Sequence, residues 1–594
     1  MTTREAGVAQ EEVARQGGGF LVADPEGPIF TPEMLTDEQR LVARTVEEFV
    51  TGEVLPVADR LEAKDWALTR ALIARLGALG FLGAEIPQAY GGLGLDKITA
   101  LVITERLGMA SSFSVSVGAH IGIGTLPIVF YGNEAQRQRY LPAMARGERI
   151  GAYALTEPTA GSDAMAIRTR AVREGEAYLL TGTKQFITNA AFADLFVTYA
   201  KVDGEHHTAF IVERGTPGLT VGEEEHKMGI RGSSTASLFF EQARVPAANV
   251  LGEVGQGHKI AFTILNVGRF KLAAGVLGGA MLAFRQALAY AQERRQFGRP
   301  LAAFGLIKQK LAQMALRLYA TEAMVYRTGG LIDAALARAP REGGYLGALE
   351  EYAVECSIAK VFASEMLDQV VDELVQIYGG YGFIEDYPAA RAYRDARINR
   401  LFEGTNEINR LLITGMLLRR AQRGRLPLLA AAQRAAEAVL SPALPALGRD
   451  GAAGEGLAAE RQQVALAKQA VLVAAGAAVR RLGPALEEHQ EILGWLADMV
   501  SEVYAMESVV RRAQQAAGTP GAEGHALMAR AWVNEAVPRL EGLGRQVLAA
   551  VEEGEALRTA LTGLRRLLRY PPANAAALGR AIADRMLAAG RYAP

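Results

Sequence analysis

Tyr153-Ala154-Leu155-Thr156-Glu157-Pro158-Thr159-Ala160-Gly161-Ser162-Asp163 is the stretch at which the chain changes texture. Upstream of it, from Thr36 to about residue 149, the pattern is helical. Thr36 and Gln39 have the spacing of a capping box, and Val42, Val46 and Phe49 fall on one helix face. Pro87 to Gly94 interrupts this region with a loop rich in proline and glycine. Downstream, to about residue 257, short β-branched and aromatic runs alternate with Gly, Asp and Pro. Leu195 to Tyr199, Phe210 to Val212 and Ser237 to Phe240 are examples, and they predict a small β domain. Helical periodicity returns from His258 to about residue 425, with a polar break near Pro340 to Gly344, and predicts a bundle of long helices. Residues 426–594 read as a further α-helical domain, Ala-rich, with breaks around Gly448 to Gly456 and Gly518 to Gly524. Its clearest helix sets Ile492, Leu496, Met499, Val503, Met506 and Val510 along one packing seam. The fold class is therefore mainly α with a central β domain. The expected order is an extension (1–35), an α-helical domain (36–149), a β domain (150–257), a helical bundle (258–425) and an additional α-helical domain (426–594).

Composition narrows the function. A chain of 594 residues exceeds one hydrophobic core, so several domains can enclose a large cofactor. Lys+Arg (64) and Asp+Glu (65) nearly cancel, which argues against a nucleic-acid partner. The single cysteine, Cys356, excludes an intrachain disulfide and suits a reducing compartment. Residues Met1 to Gly19 carry Glu5, Glu11 and Glu12 and show neither signal nor transit pattern, so the cytoplasm is expected. The most apolar run, Ala470 to Val479, is about half of the roughly 20 residues that span a bilayer, so no crossing is expected. No pair among the seven histidines has helical metal-site spacing, and no metal is expected. Gly379-Gly380-Tyr381-Gly382 follows a helical run rather than a strand, which argues against a Rossmann turn. Hydrolase elbows and phosphate-binding P-loops are missing as well.

Three segments can carry chemistry. Leu155 to Asp163 is dense in hydroxyls, small residues and backbone N–H groups, as a loop against a polar planar ring must be, although the same residues serve ordinary turns. Phe186-Ile187-Thr188-Asn189 sets an aromatic beside a hydroxyl at a strand end, and a core phenylalanine is the plainer reading. In Leu401-Phe402-Glu403-Gly404-Thr405-Asn406-Glu407, Thr405 can cap the helix through Ile408, Leu411 and Leu412. That leaves Glu403 in the preceding loop, where a glutamate is ordinarily solvated.

Together and in this order, these segments resemble the acyl-CoA dehydrogenase family from about Thr36 to Arg420. Tyr90 to Gly94, Lys227-Met228-Gly229-Ile230-Arg231, Arg294-Arg295-Gln296-Phe297-Gly298 and Gln376 to Phe383 extend the likeness. The resemblance implies an α-helical domain, a β-barrel or sandwich domain and a four-helix bundle around FAD. It implies Glu403 as catalytic base for α,β-dehydrogenation of a fatty acyl-CoA to the trans-2-enoyl-CoA, a step of fatty acid β-oxidation. The position at which some members carry the base is here Gly268, which cannot accept a proton. Tyr153, Leu155, Thr156, Ser162, Phe186 and Thr188 are implied FAD contacts around the ring, with Thr405 and Glu407 nearer the phosphates. Arg294, Phe297, Gln376, Gly379 and Gly380 are implied to reach the cofactor from a neighbouring protomer. Ser162, Asn266 and Arg269, with Phe402 and Gly404, are the implied substrate contacts.

The C-terminal extension, Gly118-Ala119-His120 and Leu265 to Phe270 look most like the very-long-chain branch. That implies a homodimer, electron-transferring flavoprotein as acceptor, with Glu241 as a docking residue, and association with the inner membrane surface. Small apolar residues at Val115 and Ala119 suggest a long acyl chain. An acyl-CoA oxidase using oxygen and a respiratory-complex assembly protein on the same fold are the alternatives.

Overall fold

The computed structural model describes residues 12–24, 27–339, 344–440 and 456–594. Only the longer helices are labelled below. The first region contains α1 (Asp37–Phe49), α2 (Trp66–Ala78), α3 (Lys97–Leu107) and α4 (Glu134–Ala145). The expected capping box opens α1: Thr36 Oγ1 accepts from the Gln39 N–H at 3.2 Å, and Gln39 Oε1 accepts from the Thr36 N–H at 3.1 Å. Helix α3 is buried almost all round, Lys97 included. That lysine is tolerated because it and Lys271 both pair with the buried carboxylate of Glu85.

The β region holds β1 (Gly151–Ala154), β2 (Arg170–Glu174), β3 (Ala177–Thr188), β4 (Leu195–Val202), β5 (His206–Glu213), β6 (Leu219–Glu224), β7 (Thr235–Pro246) and β8 (Val250–Leu251). They form one eight-stranded sheet in the order β6-β7-β3-β2-β4-β5-β8, with β1 parallel to β4. Strand β4 is buried over nearly its whole length, so it reads as a continuous apolar run rather than an alternating one. The long β3–β7 pair breaks register between Lys184 and Ile187, and Phe186 there has φ 59°. A bulge of this kind re-aims a side chain out of the sheet.

The bundle comprises α5 (Gly257–Glu293), α6 (Gly305–Arg338), α7 (Ala353–Tyr378) and α8 (Asn406–Gln422). Beyond it lie α9 (Leu428–Leu440), α10 (Ala458–Leu482), α11 (Gln490–Gln515), α12 (Ala522–Val551), α13 (Gly554–Leu567) and α14 (Ala575–Ala589). Ile492, Leu496, Met499, Val503, Met506 and Val510 of α11 are all buried, as the seam requires. Helix α11 is joined to the bundle by charge as well as by packing. Glu507 accepts from Arg327 of α6 at 2.6 Å and from Lys468 of α10 at 2.7 Å, all three side chains being buried. The expected break at 448–456 lies, apart from Gly456, outside the described residues, as does most of that at 340–344.

One expectation is corrected. Three helical segments, Ser112–Tyr131, Gly257–Glu293 and Ala458–Glu488, are long and apolar enough to cross a membrane. In this fold 72%, 72% and 67% of their most apolar windows are buried against the rest of the protein, so their apolar surface is used in its cores.

Candidate active site

Three elements meet at Glu403. Thr405 caps α8, its Oγ1 accepting from the Ile408 N–H at 3.2 Å, and so fixes where the helix begins. The two residues before it turn through the left-handed region, Glu403 at φ 57° and Gly404 at φ 78°. Glycine suits that region, whereas glutamate pays a conformational penalty of order 1–3 kcal/mol there. The turn is held from behind. Arg269 of α5 donates from Nε to the Glu403 carbonyl at 3.3 Å. Lys360 of α7 donates from Nζ to the Gly404 carbonyl at 2.8 Å. Asn409 of α8 donates from Nδ2 to the Gly404 and Thr405 carbonyls at 2.8 and 3.0 Å.

The Glu403 side chain points into the protein. Its Oε2 is shielded from solvent and has no hydrogen-bond partner among the described residues. It lies against Gly268 of α5 so closely that a β-carbon there would overlap it. Burial pushes the Glu403 carboxyl up to about 7, against the opposing pull of Arg269 and Lys360. Burial likewise lowers Arg269, and takes Lys360 down to about 8. A carboxylate raised this far and poised near neutrality can take and return a proton at working pH.

A second cluster lies on the sheet. Lys184 of β3, fully buried, donates to Glu157 at 2.7 Å and to the Leu155 carbonyl at 3.0 Å. Glu157 also accepts from the Arg168 and Thr169 N–H groups at 2.5 and 3.0 Å. Burial raises this carboxyl, but Lys184 and these donors outweigh it and hold it below its usual range. The 155–163 loop is thereby pinned to the strand that carries Phe186. Phe186 is 57% exposed, so the core reading fails: its ring stands off the sheet face. Thr188 is half-buried on the same strand, and Ser162 and Asp163 are exposed on the loop. Tyr153, on β1, directs its ring inward, 5.1 Å from that of Tyr199.

Arg269 is buried rather than on the helix surface. It is 5% exposed and donates to Asn266 Oδ1 at 2.8 Å as well as to the Glu403 carbonyl, which brings both expected substrate residues beside Glu403. Phe402 and Gly404 flank the carboxylate in the same turn. Glu407 is exposed in the first turn of α8, where its own N–H and Thr405 hold its carboxyl below the usual range.

Arg294, Phe297, Gln376, Gly379 and Gly380 lie elsewhere. Arg294 follows Gly268 by 26 residues along and just past the continuous α5, a span of roughly 39 Å at 1.5 Å per residue. Gln376 follows Lys360 by 16 residues on α7, roughly 24 Å. They gather at the far end of the bundle, where Arg294 lies over the Tyr381 ring at 5.4 Å and Phe297 is 92% exposed. Among the described residues, nothing approaches within 4 Å of a β-carbon built at Gly379 or Gly380. These residues cannot close on the same chain's Glu403.

Sequence reasoning missed Lys360, Asn409, Lys184 and Glu157 as site residues. The available signal was a lone lysine inside an apolar stretch, as in Ser357-Ile358-Ala359-Lys360-Val361-Phe362. Among the described residues, no cluster suited to a metal ion occurs.

Family models match the chain in four places: an acyl-CoA dehydrogenase N-terminal domain over residues 36–148, a middle domain over 152–243, and two C-terminal domain models over 255–418 and 466–566. A Bacillus subtilis (strain 168) protein described as a "Probable acyl-CoA dehydrogenase" is 48% identical over 97% of this chain and 98% of its own. The human mitochondrial very long-chain specific acyl-CoA dehydrogenase is 40% identical over 66% of this chain and 60% of its own. The crystal structure of an acyl-CoA dehydrogenase complexed with FAD from Bacillus anthracis superposes with a TM-score of 0.94. It is 46% identical and covers 97% of this chain and 99% of that one.

Proposed function

The chain belongs to the acyl-CoA dehydrogenase family, whose members are FAD-dependent enzymes, and from that premise we propose that Glu403 is the base that removes the α-proton of a long-chain fatty acyl-CoA in β-oxidation. The observation that carries this reading is a carboxylate whose Oε2 is shielded and has no hydrogen-bond partner among the described residues, held near neutrality by burial at the meeting point of α5, α7 and α8.

The residues present fit the flavin. Phe186 offers an aromatic face outside the sheet, the loop carrying Thr156 and Ser162 is pinned beside it, and Gly379 and Gly380 leave open space for a second subunit's contribution. Bound FAD supplies the acceptor for the hydride that leaves the β-carbon. The chain's own residues do the rest. Arg269 and Asn266 hold the acyl-CoA against α5. The Glu403 N–H, which donates to no protein acceptor among the described residues, is free to hydrogen-bond the thioester oxygen as negative charge develops on it. Glu403 takes the α-proton, and Gly268 leaves its carboxylate room. The shielding of Glu403 Oε2 keeps water from it, which strengthens each of these interactions.

A long chain is favoured by Val115, Ala119 and Gly122, small apolar residues on the segment that meets α5 beside Lys271. A homodimer follows from the separation of Arg294 and Gln376 from Glu403 within one chain. Electron-transferring flavoprotein is proposed as the acceptor, with the exposed Glu241 near its docking face. A cytoplasmic site, at most peripheral to the inner membrane surface, suits the single buried Cys356.

The test is anaerobic titration of the yellow protein with acyl-CoAs from butyryl to eicosanoyl. Bleaching of the flavin with palmitoyl-CoA ahead of butyryl-CoA is expected. Absence of bleaching with every ester removes the dehydrogenase reading, and faster turnover of butyryl-CoA removes the long chain. Peroxide formation in air at the rate of turnover would replace electron-transferring flavoprotein with oxygen as acceptor.

A further inference from the structure

Lys360 is a fully buried cation in the middle of α7, in a helix whose neighbouring positions Ser357, Ile358, Ala359 and Val361 are all buried. A buried ammonium is retained only where its donors are matched. Here the acceptors are a carbonyl and an amide: the Gly404 carbonyl at 2.8 Å and Asn406 Oδ1 at 2.7 Å. Asn406 is itself fixed by the Ser364 hydroxyl at 3.0 Å and by Glu365 Oε1 at 3.1 Å. Among the described residues no carboxylate touches the ammonium directly, so its charge is not neutralised by contact there.

The place it holds is the turn that carries Glu403. Two successive residues with positive φ relax readily unless their peptide planes are fixed. Three donors from three helices fix them, on the carbonyls of Glu403, Gly404 and Thr405. With the carbonyls engaged behind the turn, the Glu403 and Gly404 N–H groups donate to no protein acceptor among the described residues. Of the three donors, Arg269 also bonds Asn266, its partner in the proposed substrate contacts, while Asn409 is neutral and belongs to α8 itself. Lys360 alone joins a charge to a second helix from behind the turn.

We propose that Lys360 is a positioning residue for the reaction, which holds the Glu403-Gly404 turn in its left-handed form and places a positive charge behind it. This rests on the reading of Glu403 as the base. The groups that act on Glu403 are Arg269 from α5 and Lys360 from α7, with the neutral Tyr153 hydroxyl from β1 in its field. Glu407 of α8 and Glu365 of α7 act in turn on Lys360.

The experiment compares Lys360→Gln, Lys360→Met and Lys360→Arg with the parent holoenzyme over pH 5–9. It measures kcat and KM for one acyl-CoA and, on the cofactor-depleted protein, the pH dependence of thermal stability. Lys360→Met is expected to lower kcat about 10- to 100-fold with KM little changed, and to raise the apparent pKa of the profile by about one unit, the size of effect that one nearby opposite charge exerts. Lys360→Gln, which keeps a donor without charge, is expected to show the same upward shift with a smaller loss of kcat. Lys360→Arg is expected to keep the parent's pH profile. The stability midpoint of the cofactor-depleted protein is expected to move with the kinetic one, which makes the result independent of FAD retention. A pH profile and stability midpoint unchanged in both neutral variants overturn the proposal, even if activity falls. If Glu403→Gln retains turnover, it is the reading of Glu403 that fails, and the two failures are thereby separable.

Discussion

Glu403 carries its carboxylate on a backbone conformation that glutamate rarely adopts, against a helix position where only glycine fits. Both facts yield predictions at the scale of the residue. Glu403→Gln is expected to retain FAD and lose turnover by at least 10²- to 10⁴-fold, the usual worth of a general base, as measured by anaerobic bleaching rates. Because burial holds this carboxyl near 7 rather than 4.5, catalysis is expected to rise with pH and level off above about 7. The sign for stability is opposite. Below pH 4.5 the folded and unfolded chains both hold the proton. Between 4.5 and 7 only the unfolded chain releases it, so stability falls, and above 7 the penalty is complete, on the order of 3 kcal/mol at about 1.4 per unit. Glu403→Gln in the cofactor-depleted protein is therefore expected to melt higher than the parent above pH 7 and equally below pH 4.5. Gly268→Ala tests the neighbour: its methyl would displace Oε2, and kcat is expected to drop at least tenfold with FAD content unchanged.

Among the elements, the most legible in sequence were those with local signals. The capping box of α1, the Thr405 cap of α8 and the seam of α11 each depend on residues three or four apart, which the sequence displays directly. Helix α3 was legible only as helical, because its buried Lys97 is explained by Glu85 in a different segment and Lys271 on α5. That carboxylate carries two buried lysines, and although burial alone would raise it, they hold it down to about 2. Glu85→Gln removes the carboxylate charge that the two lysines share. It is expected to destabilise the protein by about 3–5 kcal/mol, read as a fall in the denaturation midpoint at pH 7. Strand β3 gives the complementary case. Phe186 reads as core from its neighbours, and only the register break in its pairing with β7 turns the ring outward.

On the scale of the whole molecule, the C-terminal helices are locked to the bundle through Glu507, which lies between Arg327 and Lys468. Burial raises that carboxyl, the two cations outweigh it, and it titrates at about 2. Its contribution is thus full above pH 4.5 and is lost as pH falls towards 2. Glu507→Gln is expected to melt lower than the parent at pH 7, and the difference to close through that window in an acid series of thermal melts. Phe297 and Phe383, 92% and 85% exposed, stand near the residues that cannot reach their own chain's Glu403. A mass near twice 63.5 kDa is expected in light scattering, with FAD lost when Phe297→Glu disrupts the pairing.

The order of helical and strand regions, the caps, the seams and the Glu403 loop were determined by sequence alone, because periodicity and capping are short-range and each residue type has few ways to satisfy them. Which groups surround Glu403 was decided only by the tertiary structure. Gly268, Lys360 and Asn409 come from three helices, with 140 residues of chain between the first and the last. The burial that moves its acidity towards neutral does not exist until those helices close over it.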